Sequence, residues 1–158
     1  MRILANTLQT GLLLVAVGIA AASGVVTDPD GEGDGNPQTV IIDSAEGGCF
    51  TFETGSTECP DGPTDIMVEP WCTALPGICG NWVVTEFDAL GDVTTPPTSG
   101  YISDEAGYED CQEADTGKVI VFKLGDGSYA KGVITNDDYT EGESGCDHRI
   151  TLEYVYPM

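Results

Sequence analysis

The stretch KVIVFKLGDGSYAKGVIT (118–135) and the final run HRITLEYVY (148–156) decide the fold. Both are rich in β-branched and aromatic residues, which favour strands. In the first stretch, two apolar runs flank the turn GDG at 125–127, and such turns form hairpins because glycine adopts positive φ angles at little cost. In the last run every second residue from Ile150 to Tyr156 is apolar, which predicts a strand with one core face and one solvent face.

Shorter segments of the same kind precede this region. They are TVIID (39–43), CFTFE (49–53), DIMVE (65–69) and NWVVTEF (81–87), and turn residues separate them. No stretch has a sustained helical period, and the 21 glycines and 9 prolines disfavour long helices. We predict an all-β domain over residues 39–158, a single antiparallel β-sandwich or open barrel of short strands. We expect disulfides to brace it and a C-terminal hairpin plus a terminal strand to complete it.

The N-terminal region has the layout of an export signal. Arg2 is followed by an apolar run at 11–22, which predicts a signal peptide over residues 1–22 that is cleaved near Ala22. The alternative is an uncleaved anchor, although the run is shorter than the ~20 residues of a membrane-spanning helix. Residues 23–38 are rich in Gly, Asp and Pro, which predicts a flexible acidic linker. The expected location is therefore outside the cell or on its surface.

The cysteines agree with export. An even number in an exported chain predicts disulfides. Closure of short loops favours the pairs Cys49 with Cys59 and Cys72 with Cys79, which leaves Cys111 with Cys146. A zinc site is disfavoured, because the chain contains no CxxC pair and only one histidine.

The net charge of −22 restricts the partners. A surface this acidic repels nucleic acids and anionic membranes, which bind basic patches. The acid excess can serve solubility, or it can bind calcium through carboxylate oxygens. In TDPDGEGDGNP (27–37), the residues Asp28, Asp30, Asp34 and Asn36 form a candidate calcium loop. The alternative is that this segment is only part of the flexible linker.

The single histidine, His148, lies between Asp147 and Arg149 at the start of the last strand. This context predicts a surface or edge residue in a cluster of charges, with a ligand or a catalytic base as the alternative. The sequence lacks a nucleophile elbow, and its many carboxylates show no directed pair. We therefore expect a protein that is not an enzyme.

Two tryptophans flank the segment CTALPGIC (72–79). If its cysteines paired, Trp71 and Trp82 would stand beside a tip that presents Leu75 and Ile78 to a porphyrin or a partner protein. The alternative is that both tryptophans cover the core.

Several of these segments, read in order, resemble the HmuY-like family of secreted or surface-attached bacterial proteins. They are CFTFETG (49–55), TDIMVEPW (64–71), GNWVVTEFDALGDVTTPPTSGYISD (80–104), VIVFKLGDGSYAKGVIT (119–135) and ITLEYVYP (150–157). Two departures from the family pattern are evident: Thr64 stands where a tryptophan is usual, and the lipid-attachment cysteine is missing.

The resemblance implies an all-β extracellular protein that binds haem and passes it to an outer-membrane partner. Family members hold the iron with two side chains, commonly two histidines. This chain has one histidine, so no ligand pair carries over, and the ligand candidates are His148 and Met67, with Met158 as a further methionine. We expect a binding protein for haem or porphyrin. The alternative is a structural or adhesive extracellular module that calcium or salt stabilises, without haem.

Overall fold

The computed structural model describes residues 35–61, 64–102, 111–142 and 145–158, and these form nine strands in two antiparallel sheets. The strands are β1 Gln38–Asp43, β2 Cys49–Phe50, β3 Ile66–Glu69, β4 Gly77–Cys79, β5 Trp82–Val84, β6 Cys111–Glu113, β7 Val119–Lys123, β8 Tyr129–Gly142 and β9 Gly145–Val155. The larger sheet has the order β1-β9-β8-β7-β5, and the smaller sheet has the order β2-β3-β4-β6. The predicted open all-β architecture is confirmed.

The N-terminal predictions fall mostly beyond this part of the chain. The signal peptide (1–22) and residues 23–34 of the predicted linker (23–38) lie outside the described residues. Within the described ranges, no helix is long and apolar enough to cross a membrane.

The C-terminal hairpin forms as predicted but continues further than predicted. At its turn, Leu124 N–H donates to the Ser128 carbonyl over 2.9 Å, and Gly127 has a φ of 88°. The strand-forming runs in the sequence end at Thr135 and resume at His148, yet the β8–β9 ladder continues until Gly142 lies opposite Gly145. The sequence pattern did not predict this part of β8 because it is exposed and polar, and so lacks the alternation of a half-buried strand.

The main core lies between the two sheets and is built around aromatic rings. Phe50, Phe52 and Tyr154 make edge-to-face contacts with ring centroids 5.0–5.4 Å apart. Trp82 is 2% exposed, and its indole N–H donates to the carbonyl of Ile78, which is fully buried. Ile78 therefore belongs to the core, and the prediction that it forms part of an exposed apolar tip was wrong.

A second, smaller apolar cluster covers the opposite face of the larger sheet. Leu90 and Val93, from a short 3-10 turn at Leu90–Asp92, pack with Val119, Val121 and other valines of the sheet. Alternate residues of β7 point into the main core, so this strand is buried on both faces. This explains why its sequence is a continuous apolar run rather than an alternating one.

One predicted disulfide is confirmed and two were wrong. The pairs are Cys49 with Cys59, Cys72 with Cys146, and Cys79 with Cys111. Cys79 and Cys111 lie directly opposite each other on β4 and β6, with Cα atoms 3.9 Å apart. The prediction paired the cysteines that close the shortest loops. In the structure, the pairing of β4 with β6 places Cys79 beside Cys111 instead of Cys72.

The chain passes from the larger to the smaller sheet through Gly47 and Gly48, both with positive φ. Gly48 N–H donates to the Asp43 carbonyl over 3.0 Å, and Val68 N–H donates to the Gly48 carbonyl over 2.8 Å. A side chain on Gly48 would overlap the backbone carbonyl of Val68. The crossing therefore requires glycine for both its backbone angle and its lack of a Cβ.

We predict that Gly48→Ala destabilises the fold more than Gly127→Ala, in urea unfolding. Both positions have positive φ, which costs alanine roughly 1–2 kcal/mol. A Cβ at Gly127 has open space around it, whereas the overlap at Gly48 adds about 1–3 kcal/mol of overpacking. Equal free energies of unfolding for the two variants would contradict this account of the crossing.

Candidate functional site

Beyond the larger sheet, β8 and β9 continue as a two-stranded ribbon, which comprises residues 135–142 and 145–148. Strand β7 ends its pairing where Val119 meets Val133, and β1 ends where Asp43 meets Arg149. In the described residues, the ribbon strands therefore pair only with each other. The segment after β3 packs against the inner face of the ribbon.

A β-bulge decides which ribbon side chains point inward. The ladder slips by one residue at Thr135, between Ile134 and Asn136. Regular alternation would place Asn136 opposite the buried Ile150, but the extra residue places Asp137 there instead. The bulge thus turns a carboxylate toward the protein interior.

His148 lies at the centre of the contacts under the ribbon and is fully buried. Its Nδ1 is 3.0 and 3.1 Å from the two carboxylate oxygens of Asp137, and its Nε2 is 2.9 Å from the Trp71 carbonyl. Its backbone N–H donates to Ser44 Oγ over 2.8 Å, and its ring lies 5.0 Å from that of Tyr139. The prediction of a surface or edge histidine was therefore wrong.

These contacts occupy both ring nitrogens of His148. A neutral imidazole has one N–H and can donate to one of its two acceptors, Asp137 or the Trp71 carbonyl, whereas the imidazolium donates to both. The Asp137 side chain is itself only 7% exposed. In this arrangement His148 offers no nitrogen to a ligand or substrate in solvent, and its contacts join the ribbon to the segment after β3.

The Cys72–Cys146 disulfide joins the same two parts of the chain covalently. Next to it, the Tyr139 hydroxyl lies 3.4 Å from Cys146 Sγ. Trp71 is half-buried, and its ring covers Gly77, where a Cβ would lie 2.5 Å from a ring atom. Trp71 therefore packs on the smaller sheet and is not part of an exposed tip.

Met67, the other haem-ligand candidate, lies on the smaller sheet, whereas His148 lies on the larger one. The cross-strand register aligns it with three cysteines in one row: Cys49 with Met67, Met67 with Cys79, and Cys79 with Cys111. Met67 is half-buried in this row. Its thioether therefore lies between two disulfides on the face of the smaller sheet that points away from the core.

One group that includes two cysteines of this row resembles a metal site by distance alone. Potential ligand atoms of Glu69, Cys79 and Cys111 lie within 4.8 Å of one another. The two sulfurs form a disulfide, however, so neither is the thiolate that binds metal ions. This group is therefore not a metal centre.

Residues 27–34 of the predicted calcium loop (27–37) lie outside the described residues. This applies to Asp28, Asp30 and Asp34. Asn36 is exposed just before β1. The calcium hypothesis for this segment stays a prediction.

Asp65 is a half-buried carboxylate that contacts the backbone of the core residue Phe52. It accepts a hydrogen bond from Phe52 N–H over 2.7 Å. Burial raises the pKa of Asp65, the bond from Phe52 opposes that rise, and the nearby charges of Asp126 and Glu53 add to it. The ionised carboxylate therefore reduces the stability of the fold at neutral pH.

No protein-family model and no curated protein matches this chain. Its structure is similar to that of a candidate lipoprotein from Bacteroides fragilis, with a TM-score of 0.55 and 12% identity over 80% of this chain and 92% of that one. It is also similar to a candidate HmuY-like haem-binding protein from Bacteroides vulgatus, with a TM-score of 0.54 and 18% identity over 85% of this chain and 98% of that one. The TM-scores show a shared fold, and at identities this low they show the fold alone.

We predict that Asp137→Asn destabilises the protein by about 2–4 kcal/mol, because the buried histidine loses its charged partner. The measurement is the free energy of unfolding in urea with the disulfides intact. Asp138→Asn is the matched control, since Asp138 is the next residue and is exposed. The control should stay within about 0.5 kcal/mol of the parent. Equal losses in the two variants would show that the loss of a negative charge, and not the loss of the His148 contact, causes the effect.

We further predict a pH dependence from Asp65. Its folded pKa is raised, so its unfavourable contribution appears as the pH rises above the unfolded value and disappears on acidification. Asp65→Asn should therefore gain stability relative to the parent at neutral pH and lose that advantage in acid. For Asp126, whose pKa the Ser128 hydrogen bonds lower, substitution by Asn should act in the opposite direction. Thermal melting at a series of pH values tests both signs.

Proposed function

We propose that this chain is a binding protein that acts outside the cell or on its surface and carries out no catalysis. The observation that carries this proposal is the fold shared with a candidate HmuY-like haem-binding protein over 85% of this chain and 98% of that one. The three disulfides support an oxidising location, where such bonds persist. The buried contacts of His148 support the absence of catalysis by its imidazole, because neither ring nitrogen reaches solvent.

Haem or a related porphyrin is the ligand that we propose. His148 is structural in this fold, so iron would have to be held by another side chain. Met67 is half-buried on the outer face of the smaller sheet, away from the main core. Thioether sulfur is an established axial ligand of haem iron, and Met67 is therefore the residue that we propose to contact the iron.

Titration of haem into the purified, disulfide-bonded protein tests this proposal. We expect saturable binding with a shifted Soret band. Met67→Leu should weaken haem binding at least tenfold and move the band, because leucine preserves the apolar volume but removes the sulfur. Met158→Leu is the matched control, since Met158 packs against the separate cluster on the larger sheet.

His148→Gln provides a second control that separates structure from ligation. It should lower stability while leaving the Soret band of the folded protein in place. Loss of the band in this variant under conditions where it stays folded would contradict the structural role of His148. If the parent protein shows no saturable haem binding, the porphyrin proposal is wrong, and the adhesive or structural module becomes the better description.

A further inference from the structure

Strand β1 forms one edge of the larger sheet. It pairs with β9 along its whole length, and no other described strand pairs with it. Alternate backbone N–H and C=O groups of an edge strand are unpaired and can hydrogen-bond to an added strand. Ile41 projects from the middle of β1 with 48% of its surface exposed, the largest exposed fraction among the big apolar side chains of the described chain.

Next to this edge lies an open cavity of about 210 Å³. Ile41 and Ile42 of β1 form one side of it, and the Cys49–Cys59 disulfide with Thr57 and Glu58 forms another. Small-molecule sites usually enclose roughly 300–1,000 Å³, so this cavity is small for a porphyrin. Its size is better suited to one long side chain.

The charge of the cavity selects the kind of side chain. The charged residues among its described lining are all acids, namely Asp43, Glu46 and Glu58. Glu46 and Glu58 are exposed, so their carboxylates remain hydrated until a partner arrives. A lysine or arginine entering between them would gain attraction, whereas a second copy of this chain would bring the same acids together.

We propose that the free edge of β1 binds an extended segment of a basic partner protein by strand addition. The segment pairs its backbone with β1, covers Ile41, and places a lysine or arginine side chain in the acidic cavity. In this mode the backbone hydrogen bonds supply affinity and the side-chain cavity supplies specificity. The cavity shares the Cys49–Cys59 disulfide with the row that contains Met67, but Met67 itself does not line the cavity, so the inference does not depend on haem capture.

The test uses an acetylated and amidated peptide of four Lys-Val repeats, titrated into the full disulfide-bonded protein at physiological ionic strength. We expect saturable one-to-one binding by calorimetry. A peptide of four Lys-Pro repeats has the same charge but cannot form a strand, because proline lacks the backbone donor. It should bind at least about tenfold more weakly. Equal binding of the two peptides would overturn the proposal in favour of general electrostatic attraction.

Variants then locate the site. Glu46→Gln combined with Glu58→Gln should weaken the Lys-Val peptide at least about fivefold, since it neutralises the cavity. The matched control combines Glu113→Gln with Asp115→Asn, two exposed acids at and after the strand β6 on an edge of the smaller sheet. An equal loss in the two double variants, or no loss in the first, would overturn the assignment.

Ile41→Lys tests the edge itself, because it places a like charge on the path of the peptide at an exposed position that should tolerate it. We expect at least a tenfold loss of peptide binding with unchanged near-ultraviolet circular dichroism. Sedimentation of the parent protein tests the alternative occupant. A dimer that Ile41→Lys dissociates would mean that a second copy occupies the edge, and this would overturn the proposal.

Discussion

The fold depends on the attachment of the long β8–β9 ribbon to the segment that follows β3. The buried His148 makes this attachment by contacting Asp137 and the Trp71 carbonyl, and the Cys72–Cys146 disulfide makes it covalently. The disulfide joins residues 74 apart in sequence, and cross-links over long loops remove the most freedom from the unfolded chain. Without these contacts the ribbon would be an isolated hairpin, which is marginally stable in water.

The smaller sheet also depends on cross-links for its stability. Its strands β2, β3, β4 and β6 are only two to four residues long, so each ladder contains few hydrogen bonds. Disulfides connect β4 to β6 directly and tie β2 to the chain that follows it. The larger sheet depends less on cross-links, because four of its five strands have five or more residues and an apolar cluster covers each of its faces. Covalent bonds thus support the part of the fold where the ladders and the core are weakest.

These structural roles limit where function can lie. The single histidine holds the ribbon in place, so its imidazole is buried and does not face a ligand at the surface. Among the described residues, two features carry the proposed binding: a thioether between disulfides on the outer face of the smaller sheet, and an exposed edge strand beside acidic residues. We propose an iron porphyrin as the ligand of the first and a basic polypeptide as the ligand of the second, because a thioether can bind iron and an edge strand can pair with an added strand.

The sequence by itself determined the all-β class, the hairpin at 118–135 and the amphipathic last strand, because local alternation and the Asp-Gly turn act over a few residues. It also predicted one short-range disulfide. Only the tertiary structure decided the ribbon, the strands β4 and β6, the other two disulfides and the burial of His148. Each of these depends on residues far apart in sequence, or on a single-residue bulge at Thr135 that leaves no sign in the apolar pattern. The burial of His148 is the clearest case that the sequence alone could not predict. Its neighbours in sequence are charged, whereas in space it contacts a distant carbonyl and an inward-facing carboxylate.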